Sequence, residues 1–467
     1  MKAPGDILLI SCYELGHQPL NLASPLAVLR QAGYAPVAVD TSVDTLDDAA
    51  IRAARLVAIS VPMHTALRLG VAIAERVRLL NPAAHICFYG LYASLNGDYL
   101  LREYADSVIG GEFEEALLAL AQALASGEPL AIPGVRTRDV AAAPILKRLP
   151  FVQPARETLP AGTRYAYLVR DGRAVRAGYV EASRGCLHTC RHCPITPVYG
   201  GRFFVVPREI VLEDIRAQVR RGARHITFGD PDFLNGPGHS LAIMRALHQE
   251  FPDVTFDATI KIEHILERRD LFPELAALGC AFVVSAVESL SEEVLRHLKK
   301  GHTRADFAEA LAILDAAGIP MRPTFVAFTP WTTPRDYLEV LAFIAEHDLV
   351  GHVDPIQYAI RLLVPPGSAL LEEADAADWL GPLDEAAFTY RWDHPNPQMD
   401  ALQREVTALA ERAAREQWDH ETAFEEVCAL AEAYLGEPVP VPQGVYARGG
   451  VRTARRPVPH LSEPWFC

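Results

Sequence analysis

Between positions 181 and 194 the chain reads Glu-Ala-Ser-Arg-Gly-Cys-Leu-His-Thr-Cys-Arg-His-Cys-Pro, which places Cys186, Cys190 and Cys193 on one short loop. Three thiols this close together reach three corners of a cubane iron–sulfur cluster, and the fourth iron is then left without a protein ligand. An open metal position admits a substrate, as catalytic sites require and closed structural sites do not. The competing reading is a structural zinc ion held by these cysteines with His188 or His192. Zinc sites of that kind pair one Cys-x2-Cys with a second, distant pair. The remaining cysteines, Cys12, Cys87, Cys280, Cys428 and Cys467, are scattered and form no such pair, so the spacing favours the cluster. A few dispersed thiols in a long chain also fit a reducing, cytoplasmic setting rather than a disulfide scaffold.

The loop sits inside a repeating strand–helix pattern. Runs at Gly178–Ala182, His225–Gly229, Thr255–Ile260, Ala281–Ala286, Met321–Ala327 and Ile356–Leu362 read as strands, with helical patterns between them such as Pro207–Arg221 and Arg304–Ala317. Six β/α units make a curved parallel sheet or partial barrel whose active edge is the carboxyl one. The first third alternates in the same way, with strands at Asp6–Ser11, Ala35–Asp40, Arg55–Val61, His85–Tyr89 and Ser107–Ile109. That pattern predicts a doubly wound, Rossmann-like domain whose ligand loops are Cys12–Pro19, Ser60–His64 and Gly90–Leu95. The expected organisation is therefore α/β: a Rossmann-like domain over 1–125, a linker over 126–178, a (β/α)6 partial TIM barrel over 179–371, and a mostly helical region with an irregular tail over 372–467.

Composition limits the partners. The formal net charge of −15 argues against an obligatory nucleic-acid partner, because phosphate binding needs clustered Lys and Arg. No run approaches the roughly 18 apolar residues of a membrane-spanning helix, and no signal peptide is expected at the start of the chain. A soluble protein acting on a small molecule is the expectation.

The Cys-x3-Cys-x2-Cys spacing, the Ser183-Arg184-Gly185 lead-in and the strand pattern resemble the radical S-adenosylmethionine (SAM) superfamily from Tyr179 to about Leu371. The resemblance implies a [4Fe–4S] cluster on the three cysteines, SAM as co-substrate, and an electron donor such as flavodoxin or ferredoxin. It also implies roles for single residues. Gly229 and Asp230, at the end of the second strand, would hold the SAM amino group, and Glu288 would contact the ribose hydroxyls. His192 stands where an aromatic residue commonly packs near the adenine, and an imidazole can stack there. Pro365-Pro366-Gly367-Ser368 resembles the turn that ends the sixth strand.

The first third resembles the cobalamin (B12)-binding domain that precedes many radical SAM domains, through Pro19–Leu26 with Gly33 and Asp40, Arg55–Pro62 and Ala105–Glu112. Ser60-Val61-Pro62 stands for that family's Ser-x-Leu and Tyr89-Gly90 for its Gly-Gly, which narrows the room for a nucleotide tail; Ser60 and Gly90 are the implied contacts. The Asp-x-His-x-x-Gly of an axial histidine is absent, and His17, in the corresponding loop, is expected to face solvent. The ending Ser462-Glu463-Pro464-Trp465-Phe466-Cys467 resembles a radical SAM family whose tail reads Cys-Cys, or Cys-selenocysteine, then Ala-Glu-Pro. A selenocysteine codon after Cys467 would fit it. Two enzymatic readings stay open: cobalamin-dependent methylation or related radical functionalisation of a small molecule, and cobalamin-independent transfer of a SAM-derived group to a thiophilic, sulfur- or arsenic-like acceptor. A non-catalytic cobalamin or iron–sulfur sensor would need a DNA-binding or signalling module, and the sequence carries none.

Overall fold

Short apolar runs alternating with amphipathic helices build two separate sheets in the computed structural model, which describes residues 1–170, 172–440, 455 and 458–462. In the first sheet, β1 (Ile7–Ser11), β2 (Val37–Asp40), β3 (Leu56–Ser60), β4 (His85–Tyr89) and β5 (Ser107–Ile109) run parallel in the order β2-β1-β3-β4-β5. A short β6 (Val135–Arg136) closes the edge antiparallel to β5. β1 and β3 are buried along their whole length, as a sheet covered on both faces demands. Leu22, Leu26 and Leu29 of helix Leu20–Gln31 and Leu117 and Leu120 of helix Glu114–Ser126 pack one face. Leu67, Ala74 and Val77 of helix His64–Leu80 pack the other. This is the expected doubly wound arrangement.

The second sheet begins with a hairpin, β7 (Tyr167–Arg170) and β8 (Arg173–Val180). A two-stranded ribbon, β9 (Ser183–Gly185) with β10 (Phe203–Val205), stands at its carboxyl edge and carries the cysteine loop. β8, β11 (His225–Phe228), β12 (Thr255–Thr259), β13 (Cys280–Glu288) and β14 (Met321–Phe325) are all parallel. The hairpin lies where a linker was expected, and β8 starts five residues before the expected strand at Gly178. Its arginines, Arg173 and Arg176, hide the strand from a hydrophobicity reading.

The sixth strand is reduced to one parallel bridge, Phe328 with Arg361. Pro355 opens a 3-10 turn over Pro355–Tyr358 instead, and the Gln357 side chain accepts the Phe325 N–H at 2.9 Å. A side chain thus satisfies a β14 donor that a neighbouring strand would otherwise take. The C-terminal region is helical at Pro397–Glu416 and His420–Leu435, but it also contains a hairpin, β15 (Leu380–Asp384) with β16 (Thr389–Trp392). That hairpin reaches back to the first domain. Phe388 enters its core, the Ala387 carbonyl meets His64 Nε2 at 2.8 Å, and Glu385 pairs with Arg102 at 2.7 Å. A last strand, β17 (His460–Leu461), adds antiparallel to β7. No helix among the described residues is long and apolar enough to cross a membrane.

The segment between the sheets is held by Arg156, one of the largest fully buried side chains. Its guanidinium donates to both Asp214 oxygens, at 2.7 and 2.9 Å, to the Tyr179 carbonyl at 2.7 Å and to the Gln18 carbonyl at 3.2 Å. One side chain therefore joins the loop after β1, the end of β8 and helix Arg208–Arg220. Replacing one member of a fully buried ion pair strands the other charge, at about 3–5 kcal/mol. Arg156→Met is expected to lower stability by that amount in urea unfolding. The double change Arg156→Met with Asp214→Leu is expected to cost less than Arg156→Met alone, because no charge is left uncompensated.

Candidate functional site

The Ser183-Arg184-Gly185 lead-in is explained residue by residue. Ser183 Oγ donates to Asp230 Oδ1 at 2.6 Å, and the Ala182 N–H donates to Asp230 Oδ2 at 2.9 Å. Arg184 lies among three carboxylates, Glu181 at 3.0 Å, Glu112 at 3.1 Å and Glu114 at 2.8 Å, so it ties the cysteine loop to the first domain. Gly185 adopts φ +77, and a Cβ there would lie 2.4 Å from the Arg202 carbonyl oxygen. Only glycine fits that close approach. The loop is then fixed by Cys186 N–H to the Arg202 carbonyl at 3.0 Å, Thr196 Oγ1 to the Cys190 carbonyl at 2.7 Å and Arg191 N–H to the Leu298 carbonyl at 3.0 Å.

All three cysteines open onto one cavity of about 110 Å³ at the carboxyl edge of the second sheet, shared with His192, Glu288, Asp232, Lys261 and Lys300. Burial raises the Cys186 thiol and pushes Cys193 up to about 12. Thiols in that state become good ligands when a cation replaces their protons. Three converging sulfurs fit a [4Fe–4S] cluster with one open corner, and the Lys261 and Lys300 ammonium groups offset the charge of thiolate ligands. His188, one of the two histidines the competing zinc reading could use, instead directs Nε2 toward Asp232 Oδ2, 3.2 Å away.

Glu288 ends β13 at a register shift with φ +66, a conformation that a non-glycine residue adopts only where its surroundings enforce it. Its Oε1 receives Lys300 Nζ at 3.3 Å and His192 Nε2 at 3.1 Å. Burial alone would raise this carboxyl, but Lys300 and His192 outweigh it and hold it down at about 2. His192 Nδ1 is buried without a hydrogen-bond partner among the described residues. The two residues expected at adenine and ribose thus meet each other on the cavity wall.

Asp230 and Gly229 do not reach the cavity. Asp230 spends both oxygens on the lead-in, and burial raises it to about 7. At Gly229 a Cβ would lie 1.9 Å from the Tyr179 hydroxyl, so glycine is needed for packing. Asp232, two residues further on, takes the place in the wall expected of Asp230. Asp232, Lys261 and Lys300 were not singled out in the sequence; for Asp232 the signal was present, a second acid in the same post-strand loop.

Ser60 and Gly90 lie at the carboxyl edge of the first sheet. Gly90 has φ +105 with Val61 O 3.3 Å from a Cβ position, and Ser60 is buried beside the Tyr89 hydroxyl. Tyr89 is fully buried, packs on Phe113 at 5.0 Å and donates to the Asn21 carbonyl at 2.8 Å. Gly110 and Gly111 are covered by Ser94, Pro144 and the Ile145 carbonyl oxygen, the last 2.4 Å from a Cβ at Gly111. Ser11 Oγ, next to Ser60 in register, is buried without a hydrogen-bond partner among the described residues. Burial pushes Glu14 up to about 8, so this acid is neutral near pH 7. His17 is buried rather than solvent-facing: its ring lies 4.8 Å from Tyr179, and burial lowers it to about 4. A partnerless hydroxyl and a neutral acid fit the amide-bearing rim of a corrinoid. Tyr89 stands where the resemblance implies a glycine, and its buried ring narrows the room beside β4 for a nucleotide tail. The tail at Cys467 lies outside the described residues.

Residues 180–344, which carry the cysteine loop and the strands β11 to β14, match the model of the radical SAM superfamily. The fold of nearly the whole chain matches two solved structures. One is the cobalamin-dependent SAM radical enzyme OxsB with aqua-cobalamin bound, at TM-score 0.71 and 15% identity over 92% of this chain and 71% of that one. The other is the radical SAM methyltransferase TsrM of Kitasatospora setae with tryptophan and a SAM analogue bound, at TM-score 0.64 and 17% identity over 93% and 96%. Among curated proteins, the ribosomal-protein methylthiotransferase RimO of Porphyromonas gingivalis is 24% identical over 177 residues. That match spans 36% of this chain and 41% of RimO.

After anaerobic reconstitution, Cys190→Ala is expected to lose the brown charge-transfer absorbance; a variant retaining it in full would contradict the ligand assignment. Glu288→Gln is expected to keep its iron and weaken SAM binding about tenfold, or about 1.4 kcal/mol, in equilibrium dialysis.

Proposed function

We propose that this chain is a radical SAM enzyme that methylates or similarly functionalises a small molecule, with a cluster on Cys186, Cys190 and Cys193 and a corrinoid at the edge bearing Ser11, Ser60 and Gly90. The observation that carries this reading is the convergence of the three cysteines with the strained, ion-paired Glu288 on one cavity. When bound, the cluster and SAM supply one-electron reductive cleavage of a carbon–sulfur bond, and a corrinoid supplies methyl carriage.

The chain's own residues then have defined tasks. The cysteine loop offers three ligands and leaves one corner for the amino and carboxylate groups of SAM. Lys261 and Lys300 set a positive wall beside those ligands, suited to a carboxylate. Glu288, ionised throughout the neutral range, accepts hydrogen bonds from hydroxyls, while His192 Nδ1 offers one further polar contact. The burial of Cys190, Asp232, Glu288 and Lys300 keeps bulk water from the reacting centre. An external one-electron donor of the flavodoxin or ferredoxin type completes the requirement.

The narrowed room beside β4 favours a second reading, transfer of a SAM-derived group to a thiophilic acceptor without a corrinoid. Product analysis separates the two. With dithionite, SAM and cobalamin, the first reading expects 5′-deoxyadenosine together with S-adenosylhomocysteine, the latter dependent on cobalamin. Methylthioadenosine, independent of cobalamin, would favour the second. Because Tyr89 narrows the room for the tail, cobinamide, which lacks the nucleotide tail, is expected to bind within about threefold of cobalamin in a fluorescence titration. A cobalamin preference above about tenfold, or about 1.4 kcal/mol, would show that the tail is held.

A further inference from the structure

His188, Asp232 and His264 come from three separate elements: the cysteine loop, the turn after β11 and helix Ile262–Glu267 after β12. Asp232 Oδ2 lies 3.2 Å from His188 Nε2 and 2.6 Å from His264 Nδ1, and the three atoms all fall within 4.8 Å of one another. Asp232 is 2% exposed. None of these three atoms has a hydrogen-bond partner of acceptable geometry among the described residues. Two imidazole nitrogens and a carboxylate oxygen are thus gathered without the N–H directions that ordinary hydrogen bonding needs.

The geometry points to a mononuclear divalent transition-metal site formed by His188 Nε2, Asp232 Oδ2 and His264 Nδ1, beside the cysteine cavity and distinct from its three sulfurs. Ligands bound at about 2.1 Å in cis positions stand about 3.0–3.4 Å apart; the 3.2 Å between Asp232 and His188 already matches, and the 2.6 Å between Asp232 and His264 would have to open by about half an ångström on binding. Nitrogen and oxygen donors of this kind suit Zn²⁺ or Fe²⁺ rather than a sulfur-seeking ion. A supporting layer is in place. The Lys261 backbone N–H donates to Asp232 Oδ1 at 3.3 Å, and His188 Nδ1 lies 3.3 Å from Lys261 Nζ and 3.5 Å from Glu263. Of these, Glu263 accepting the Nδ1–H orients the ring and leaves Nε2 free for the ion, with Lys261 paired to the same carboxylate. His188 and Asp232 both face the cavity, so the remaining coordination positions open toward whatever is held there. The ion would be a Lewis-acid anchor for an oxygen- or nitrogen-bearing group of the substrate. The site shares none of the cluster's ligands, so it stands whichever group is transferred.

The reconstituted holoenzyme, incubated with Zn²⁺ and desalted, tests this by metal counting and zinc-edge X-ray absorption. The expected result is about one zinc per chain beside undiminished iron, with only nitrogen and oxygen neighbours at about 2.0–2.1 Å. His264→Gln and, separately, Asp232→Asn are expected to keep the iron and lose the zinc. No zinc retained with iron intact would overturn the site. So would equal zinc in the wild type and both variants. A sulfur shell at about 2.3 Å would overturn it too, and would place zinc on the cysteines against the cluster reading itself.

Discussion

Arg184 is the interaction on which the arrangement of the two sheets depends. It stands one residue after Ser183 in the lead-in to the cysteines, yet two of its three carboxylate partners belong to the first domain. Glu112 also receives the Tyr199 hydroxyl at 3.0 Å, from the helix that follows the cysteine loop, and Glu114 receives Ser24 Oγ at 2.6 Å. A cation enclosed by three acids does not neutralise them all. Burial accordingly raises Glu112 and Glu181 against the opposing pull of Arg184. Such a centre is costly to assemble unless every partner is in place. It therefore couples the position of the metal-binding loop to the carboxyl edge of the first sheet.

The same economy of buried charge recurs in the cavity. Glu288 and Asp232 are both carboxylates held low against the opposing effect of burial, one by Lys300 and His192, the other by the His188 and His264 imidazoles. Each faces the cavity from the end of a parallel strand, where neighbouring carbonyls and helix starts leave room for ligands. Strain at Glu288 is sustained from both sides: its carbonyl accepts the Val326 N–H at 2.9 Å, and its side chain is anchored by Lys300 and His192.

Much of this was legible in the sequence, for identifiable reasons. The parallel strands β1, β3, β4 and β13 are near-continuous apolar runs bounded by turns, which is what burial on both faces produces. The cysteine spacing marked the metal loop because no other arrangement of these thiols serves a closed site. What escaped notice depended on distant partners. β8 is rich in arginine and takes its strand character from pairing with β7 and β11. The expected sixth strand gave way to a turn because Gln357 supplies by side chain what a strand supplies by backbone. Asp230 and Asp232 are nearly equivalent in one dimension, and only the fold assigns one to the lead-in and the other to the cavity. His17 looks like a loop histidine until Tyr179 is brought over it.

The central claim is that Cys186, Cys190 and Cys193 hold a redox-active cluster with a corner free for SAM. Electron paramagnetic resonance of the dithionite-reduced, reconstituted protein, recorded with and without SAM, tests it most directly. The account predicts the signal of a one-electron-reduced [4Fe–4S] cluster whose g values shift when SAM is added. A signal that SAM leaves unchanged would mean that the fourth iron is closed to it, and would contradict the account.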